Sequence, residues 1–353
     1  GSSKNEFLIN LFLQNEKEEK AVFFNQYFDL DEVKFEEKLD SLVNVRELVY
    51  NEFSKSEPDI SPEYLELIKV AIHYPLYRLK EVYPYYYKNI LKLESFPKLS
   101  NDFFAYRNSV DLNNKDLISF YPYQNYVINY MYNIGHNIKE KDSTKNNLTI
   151  NILNSIIENV ELEEFKNLLL KRIVVNDFLQ SESSCSINEK TLSVFLENCS
   201  NESFKTQVNN LVNDSKAIEN YKTLPNFELE NYNNSIEDIN SIIQNKNTVI
   251  YFWSTEFMSS KKLLNKIKKL EKTLPEISFI GINMHNYDNI DSEPNWKKFD
   301  LSKQYKLPKN SEAHKFITSQ YPRVIIVNKD GIVENGFTFL DSKNLYHELY
   351  KLK

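Results

Sequence analysis

The sequence predicts an α+β protein, with a mostly helical N-terminal domain followed by an α/β/α domain built on a mixed sheet. Three observations carry that expectation. From Ser61 to about Lys216, apolar residues recur at helical spacing. After Tyr221, short β-branched and aromatic runs alternate with amphipathic stretches. The chain has 353 residues, 41% hydrophobic and 14% aromatic, enough to fill two cores of ordinary size. The domains are expected at 1–220 and 221–353.

The first 50 residues mix alternating and continuous apolar runs, and a β-hairpin and an amphipathic helix fit them equally. Ser61-Pro62-Glu63 is a helix start, with a capping serine, proline at the first helical position and then an acid. Pro75 and Pro84 are expected to end or kink that helix, because proline has no N–H for the helix ladder. That makes the Tyr–Pro-rich stretch from His73 to Ile90 a hinge between helices. Its aromatics either wedge between helices or line a ligand pocket. Pro122 opens a long amphipathic helix, and three further helices are expected near 148–161, 163–180 and 189–211.

Beyond Tyr221 comes a short strand, an Asn-rich turn and a helix, then a β-branched strand ending at Trp253. Leu263, Leu264, Ile267, Leu270 and Leu274 form the apolar stripe of a helix. Ile277 to Met284 reads as a buried strand. The stretches "NWKKFDLSKQYKL" and "SEAHKFITSQ" read as short helices. "PRVIIVNKDGIVE" is a strand, a turn at Asn328-Lys329-Asp330-Gly331 and a second strand. The closing helix takes Ser342 as its cap. The order β-α-β-α-β-(helical insert)-β-β-α implies parallel pairing with right-handed crossovers and an antiparallel hairpin at one edge.

Composition excludes several classes of function. Five glycines leave no Gly-rich phosphate loop. A net charge of −7, from 43 Lys+Arg against 50 Asp+Glu, opposes an electrostatic grip on nucleic acid. No run reaches the ~18 apolar residues of a membrane span. The histidines (His73, His136, His285, His314, His347) are scattered without ligand spacing, and the carboxylates near 288–300 match no calcium-loop pattern, so neither a metal nor a cofactor is expected. The two cysteines, Cys185 and Cys199, form no Cys-x-x-Cys. If 187–198 is one helix, a rise of ~1.5 Å per residue holds them too far apart to pair. The start, Gly1-Ser2-Ser3, reads as a join to a mature chain. A lipidated cysteine in the place of Gly1 would make the protein a lipoprotein attached to the membrane.

The second half resembles the thioredoxin fold, and more closely the TlpA/ResA-type thioredoxin-like proteins of bacterial envelopes. "LPNFELENYNNSIEDI" resembles that family's opening strand, turn and helix. "VIYFWST" resembles its central strand, "SQYPRVIIV" the segment that carries a cis-proline, and "NKDGIV" its Asp-Gly hairpin. The helical first half is similar in style to domains that precede such modules in Bacteroidetes-type secreted proteins. The resemblance implies a periplasmic or outer-membrane location and makes Pro322 the cis-proline. It also sets Phe257 and Ser260 where the family carries its two cysteines, with Glu256 in place of a tryptophan. Dithiol exchange needs a thiolate at the helix start and a second thiol to resolve the mixed disulfide. Phe257-Met258-Ser259-Ser260 supplies neither.

The residues leave two functions open. In one, a redox-inactive module binds a protein or peptide partner through the former active-site surface, with Glu256, Phe257, Met258, Ser260, Tyr321 and Pro322 as the binding residues. Strand addition beside Tyr321–Pro322 and an apolar anchor at Phe257 would hold the partner, unless the N-terminal domain covers that surface. In the other, a thiol–disulfide oxidoreductase uses relocated thiols at Cys185 and Cys199. Ser254, Thr255, Ser259 and Ser260 crowd the same turn, and His285 or His314 could serve one of them as a base. Their expected work is instead to satisfy backbone N–H groups at the strand-to-helix turn.

Overall fold

The computed structural model describes residues 3–24, 27–57, 59–142, 147–180, 188–255, 258–284, 295–319 and 321–352. The chain divides into two compact units, one of residues 1–173 and 193–200, the other of 174–192 and 201–353. The second unit thus takes in helical residues ahead of the boundary expected at 220. The α+β class is as expected.

The first unit is helical. Its opening residues form helices, not a hairpin: α1 (Ser3–Phe24), then α2 (Glu32–Ser56), capped by Asp31. The central helix, α3 (Pro62–Leu91), starts at Ser61 as the sequence indicates and then runs through both Pro75 and Pro84. The expected hinge is therefore the interior of one helix. At Pro75 a side chain from another helix satisfies the ladder. Pro75 has no N–H for the carbonyl of Ala71, and Asn15 Nδ2 donates to that oxygen at 3.0 Å. Near Pro84, Asn133 Nδ2 donates to the carbonyl of Glu81 at 2.6 Å. The aromatics of α3 wedge between helices: Phe35 stacks on Tyr83 at 4.3 Å, and Tyr77 on Tyr106 at 4.2 Å. Buried Glu81 accepts from Tyr106 Oη at 2.7 Å and from Arg107 Nε at 2.9 Å. Helix α4 (Tyr121–Lys141) packs against α3, and α5 (Leu148–Asn159) against α4. Next come α6 (Glu163–Gln180) and α7 (Glu189–Asn198). The single helix expected over 189–211 is interrupted after Asn198 and restarts as α8 (Glu202–Ala217), where Asn201 caps the new helix by accepting from Phe204 N. Among the described residues no helix is long and apolar enough to cross a membrane.

The second unit holds a seven-stranded mixed sheet in the order β2-β1-β5-β4-β3-β6-β7. Its strands are β1 (Glu228–Asn231), β2 (Ile236–Asp238), β3 (Thr248–Trp253), β4 (Ser278–Asn283), β5 (Gln304–Lys306), β6 (Arg323–Val327) and β7 (Val333–Thr338). Strands β3, β4 and β5 run parallel, and β6 and β7 add antiparallel. Two strands go beyond the expected order. β2 folds back on β1, and β5 lies in a stretch expected to be helical, where only 3-10 turns at Trp296–Lys298 and Leu301–Lys303 form. The unit beginning at β3 has the strand order and directions of a thioredoxin-like fold, with a β-α-β crossover followed by a hairpin and a helix.

β3 is buried on both faces, and its residues alternate between two cores. Ile250 and Phe252 pack with Ile280, Ile282 and Ile325 under α9 (Ile239–Ile243). Val249, Tyr251 and Trp253 pack on the other side with α10 (Ser260–Thr273) and α11 (Leu345–Tyr350). The sheet is tight at Gly281, where a Cβ would lie 2.6 Å from Tyr251 Oη and closer still to Gln304 Oε1. The hairpin turn is as expected: Asn328 Oδ1 accepts from Asp330 N and Ile332 N, and Gly331 takes φ +76°. Ser342 does not cap the last helix. Asn344 stands at its N-cap, and Ser342 Oγ accepts from Asn344 N just ahead of it.

Two outcomes test this packing. Asn15→Ala should cost about 1–3 kcal/mol, the cost of an unsatisfied buried carbonyl. The cost should shrink in a Pro75→Ala background, where the restored N–H can take the Ala71 carbonyl, as a double-mutant cycle in urea would measure. In the second unit Asp214 of α8 forms a buried ion pair with Arg323 of β6, and Asp214→Ala, which leaves that guanidinium buried without its partner, should cost about 3–5 kcal/mol. Replacing both residues, Asp214→Leu with Arg323→Met, should cost less than the sum of the single changes.

Candidate functional site

The site is assembled where β3 leaves the sheet. Ser254 is buried at its end, and Met258 N donates back to the Ser254 carbonyl at 3.2 Å. Ser259 then caps α10 by accepting from Lys262 N at 3.3 Å. Ser260, in the place of the second family cysteine, is buried, and its hydroxyl accepts from Asn295 Nδ2 at 3.3 Å. Ser259 therefore does the capping work expected at this turn, whereas Ser260 is bonded to a side chain. His314, one of the two candidate bases, is exposed, and its Nε2 donates to the carbonyl of Pro308 at 3.0 Å. The other, His285, lies outside the described residues, as do Glu256, Phe257 and Cys185. Cys199, in the first unit, is buried.

Facing the turn is the segment that leads into β6. No peptide bond among the described residues is cis, so the Tyr321–Pro322 bond is trans and the cis-proline expectation is corrected. Trans is the lower-energy form of an X–Pro bond by about 0.5–1 kcal/mol, and this segment is fixed by another device. Arg323, wholly buried at the start of β6, forms an ion pair through Nη2 with Asp214 of α8, and its Nη1 donates to the carbonyl of Phe316. Asp214 also accepts from Thr318 N at 3.0 Å, Thr318 Oγ1 at 2.8 Å and Ser319 N at 2.8 Å. One carboxylate thus holds both the guanidinium and the backbone just ahead of Tyr321. Burial opposes the charge on Arg323 and the Asp214 carboxylate favours it, with burial the larger effect. Burial also raises the Tyr321 phenol above its ordinary value and keeps it neutral.

Between turn and segment lies a cavity of about 550 Å³, with Met258, Tyr321 and Pro322 in its wall. Three of the six expected binding residues therefore converge, while Ser260 is turned to a structural bond. Sequence reasoning missed part of the wall: Arg323, Leu179 of α6 and the loop Phe339–Asn344. Arg323 carried a signal, since a charge at the head of the apolar run "VIIV" demands a buried partner. The loop and Leu179 carried none, because nothing local ties them to this turn. At the rim Asp341 accepts from Lys262 at 3.0 Å and Lys266 at 3.1 Å. Partial burial works against its ionisation, but the two lysine hydrogen bonds outweigh it and hold the carboxyl below its usual range.

No protein-family model matches the chain, and no curated protein matches it. Among solved structures it is similar to the thioredoxin domain of a thiol-disulfide oxidoreductase from Bacteroides vulgatus, with 15% identity over 38% of this chain and 97% of that one and a TM-score of 0.31. It is similar to a thiol:disulfide interchange protein from a Bacteroides species, with 15% identity, 38% and 90% coverage and a TM-score of 0.30. A third is the exposed lipoprotein thioredoxin of Streptococcus pneumoniae, with 16% identity, 36% and 100% coverage and a TM-score of 0.27. The strand order and directions of its second unit are those of a thioredoxin-like fold.

Proposed function

We propose that the protein is a redox-inactive, thioredoxin-like component of the bacterial cell envelope that binds a protein or peptide partner through the former active-site surface. One observation carries the reading. The turn after β3 and the Tyr321–Pro322 segment enclose a cavity with no thiol in its described wall, and the serine in the second cysteine's place is buried and hydrogen-bonded. Such a surface can hold a chain but offers no sulfur for exchange. Tyr321 and Pro322 would present the backbone beside which an extended partner lies, and Phe257 and Met258 would supply apolar contact. The envelope location, and attachment by an N-terminal lipid, rest on the resemblance of the sequence to TlpA/ResA-type proteins.

The test is twofold. The full chain should reduce insulin in dithiothreitol no faster than dithiothreitol alone; clear turnover would end the redox-inactive reading. Affinity capture from envelope extracts should recover a partner with the wild type and lose it with Phe257→Asp. Identical recoveries from both would count against binding at this turn.

A further inference from the structure

We propose that the outer face of α2 docks a second copy of this chain. The two copies pair as antiparallel helices about a two-fold axis at Val45, and Lys38 of each copy meets Glu52 of the other. This goes beyond the partner-binding reading and is carried by the first unit alone.

One side of α2 is spent within its own unit. Phe35 and Leu39 are buried in the core, and buried Arg46 pairs with Glu18 of α1 at 2.6 Å and donates to the carbonyl of Ile72. Another side carries Val45, Leu48 and Val49, which helical spacing sets on one face. Phe53 stacks on Phe7 at 4.2 Å, so with the Arg46–Glu18 pair α1 runs antiparallel beside α2. Between those two anchors α1 shows Ile9 and Leu13, which widen the apolar surface. All five side chains are 40–65% exposed. Exposed apolar residues scattered singly are ordinary, whereas five gathered on adjoining helices mark an interaction surface.

The charge pattern along the stripe selects the occupant. Lys38, Val45 and Glu52 recur every seven residues and so share one line of the helix surface. Val45 is its centre, with a cation about 10 Å to one side and an anion about 10 Å to the other. Lys38 and Glu52 are exposed, and neither has an ion-pair partner among the described residues. Turned end for end, this stripe is its own complement. Val45 faces Val45, Leu48 faces Leu42, Val49 faces Ser41, and two Lys38–Glu52 pairs close. A two-fold pair uses one patch on both copies in this way. Parallel pairing would instead set Lys38 against Lys38 and Glu52 against Glu52. An anionic lipid surface fits worse, because it repels Glu52 and a chain of net charge −7.

Sedimentation velocity on the full chain, from about 1 to about 200 µM, reads the pairing. The wild type should pass from monomer to dimer across that range. Leu48→Glu should raise the dissociation constant about tenfold or more. Lys38→Glu and Glu52→Lys should each weaken the dimer, and both in one chain should restore it, because opposite charges meet again across the two-fold. A mixture of the two single variants should form a mixed dimer tighter than either variant forms alone. All three positions are exposed, and circular dichroism checks that each variant is folded. Flotation with phosphatidylglycerol vesicles should leave the protein unbound. A wild type that stays monomeric overturns the inference, as does a dimer indifferent to Leu48→Glu or a double reversal as weak as the single ones. Vesicle binding by the wild type that Leu48→Glu abolishes assigns the face to lipid and overturns it too.

Discussion

The ion pair between Asp214 and Arg323 is the constraint on which the site depends. Both side chains are almost wholly removed from water, and neither charge is tolerable there without the other. The pair fastens α8 to the first residue of β6. Through Thr318 and Ser319 the same carboxylate fixes the backbone approaching Tyr321. One wall of the cavity is thereby set by a helix more than a hundred residues earlier in the chain, and the trans Tyr321–Pro322 bond sits in a segment already held on both sides. The partition of the chain obeys the same logic, since α8 belongs with the sheet that its aspartate serves.

At this place the fold delivers a rigid strand end, a capped basic helix and a facing backbone segment. In a thiol enzyme the first two would position and activate a thiolate. Here Ser259 spends its hydroxyl on the helix cap and Ser260 on Asn295, so the helix start is occupied with its own satisfaction. What lines the cavity there is an apolar wall that includes Trp253, Met258 and Leu263.

Much of the second unit was legible in the sequence because its central strands are buried on both faces and so appear as unbroken apolar runs, as in "TVIYFW" and "VIIV". The Asn328–Gly331 turn was legible because its geometry is fixed by the residues within it. The short strands β2 and β5 were not: at three residues each they exist only through pairing with neighbouring strands, β2 with β1 and β5 with β1 and β4, which no local pattern announces. Helix α3 was misjudged for the same kind of reason. The donor that answers the missing N–H of Pro75, Asn15, comes from another helix. In the site, the convergence of Met258 with Tyr321 and Pro322 could be inferred from the order of motifs, whereas Asp214 and Arg323 stand 109 positions apart and join only in the folded chain.

The central claim is that this chain keeps a thioredoxin-like scaffold with no thiol at the turn after β3. The most direct measurement restores it: Phe257→Cys together with Ser260→Cys, oxidised with glutathione and monitored by mass and by thiol alkylation. The account predicts an intramolecular disulfide between the two new cysteines and a gain of insulin reduction in dithiothreitol. Two thiols that fail to pair in the folded chain would contradict it.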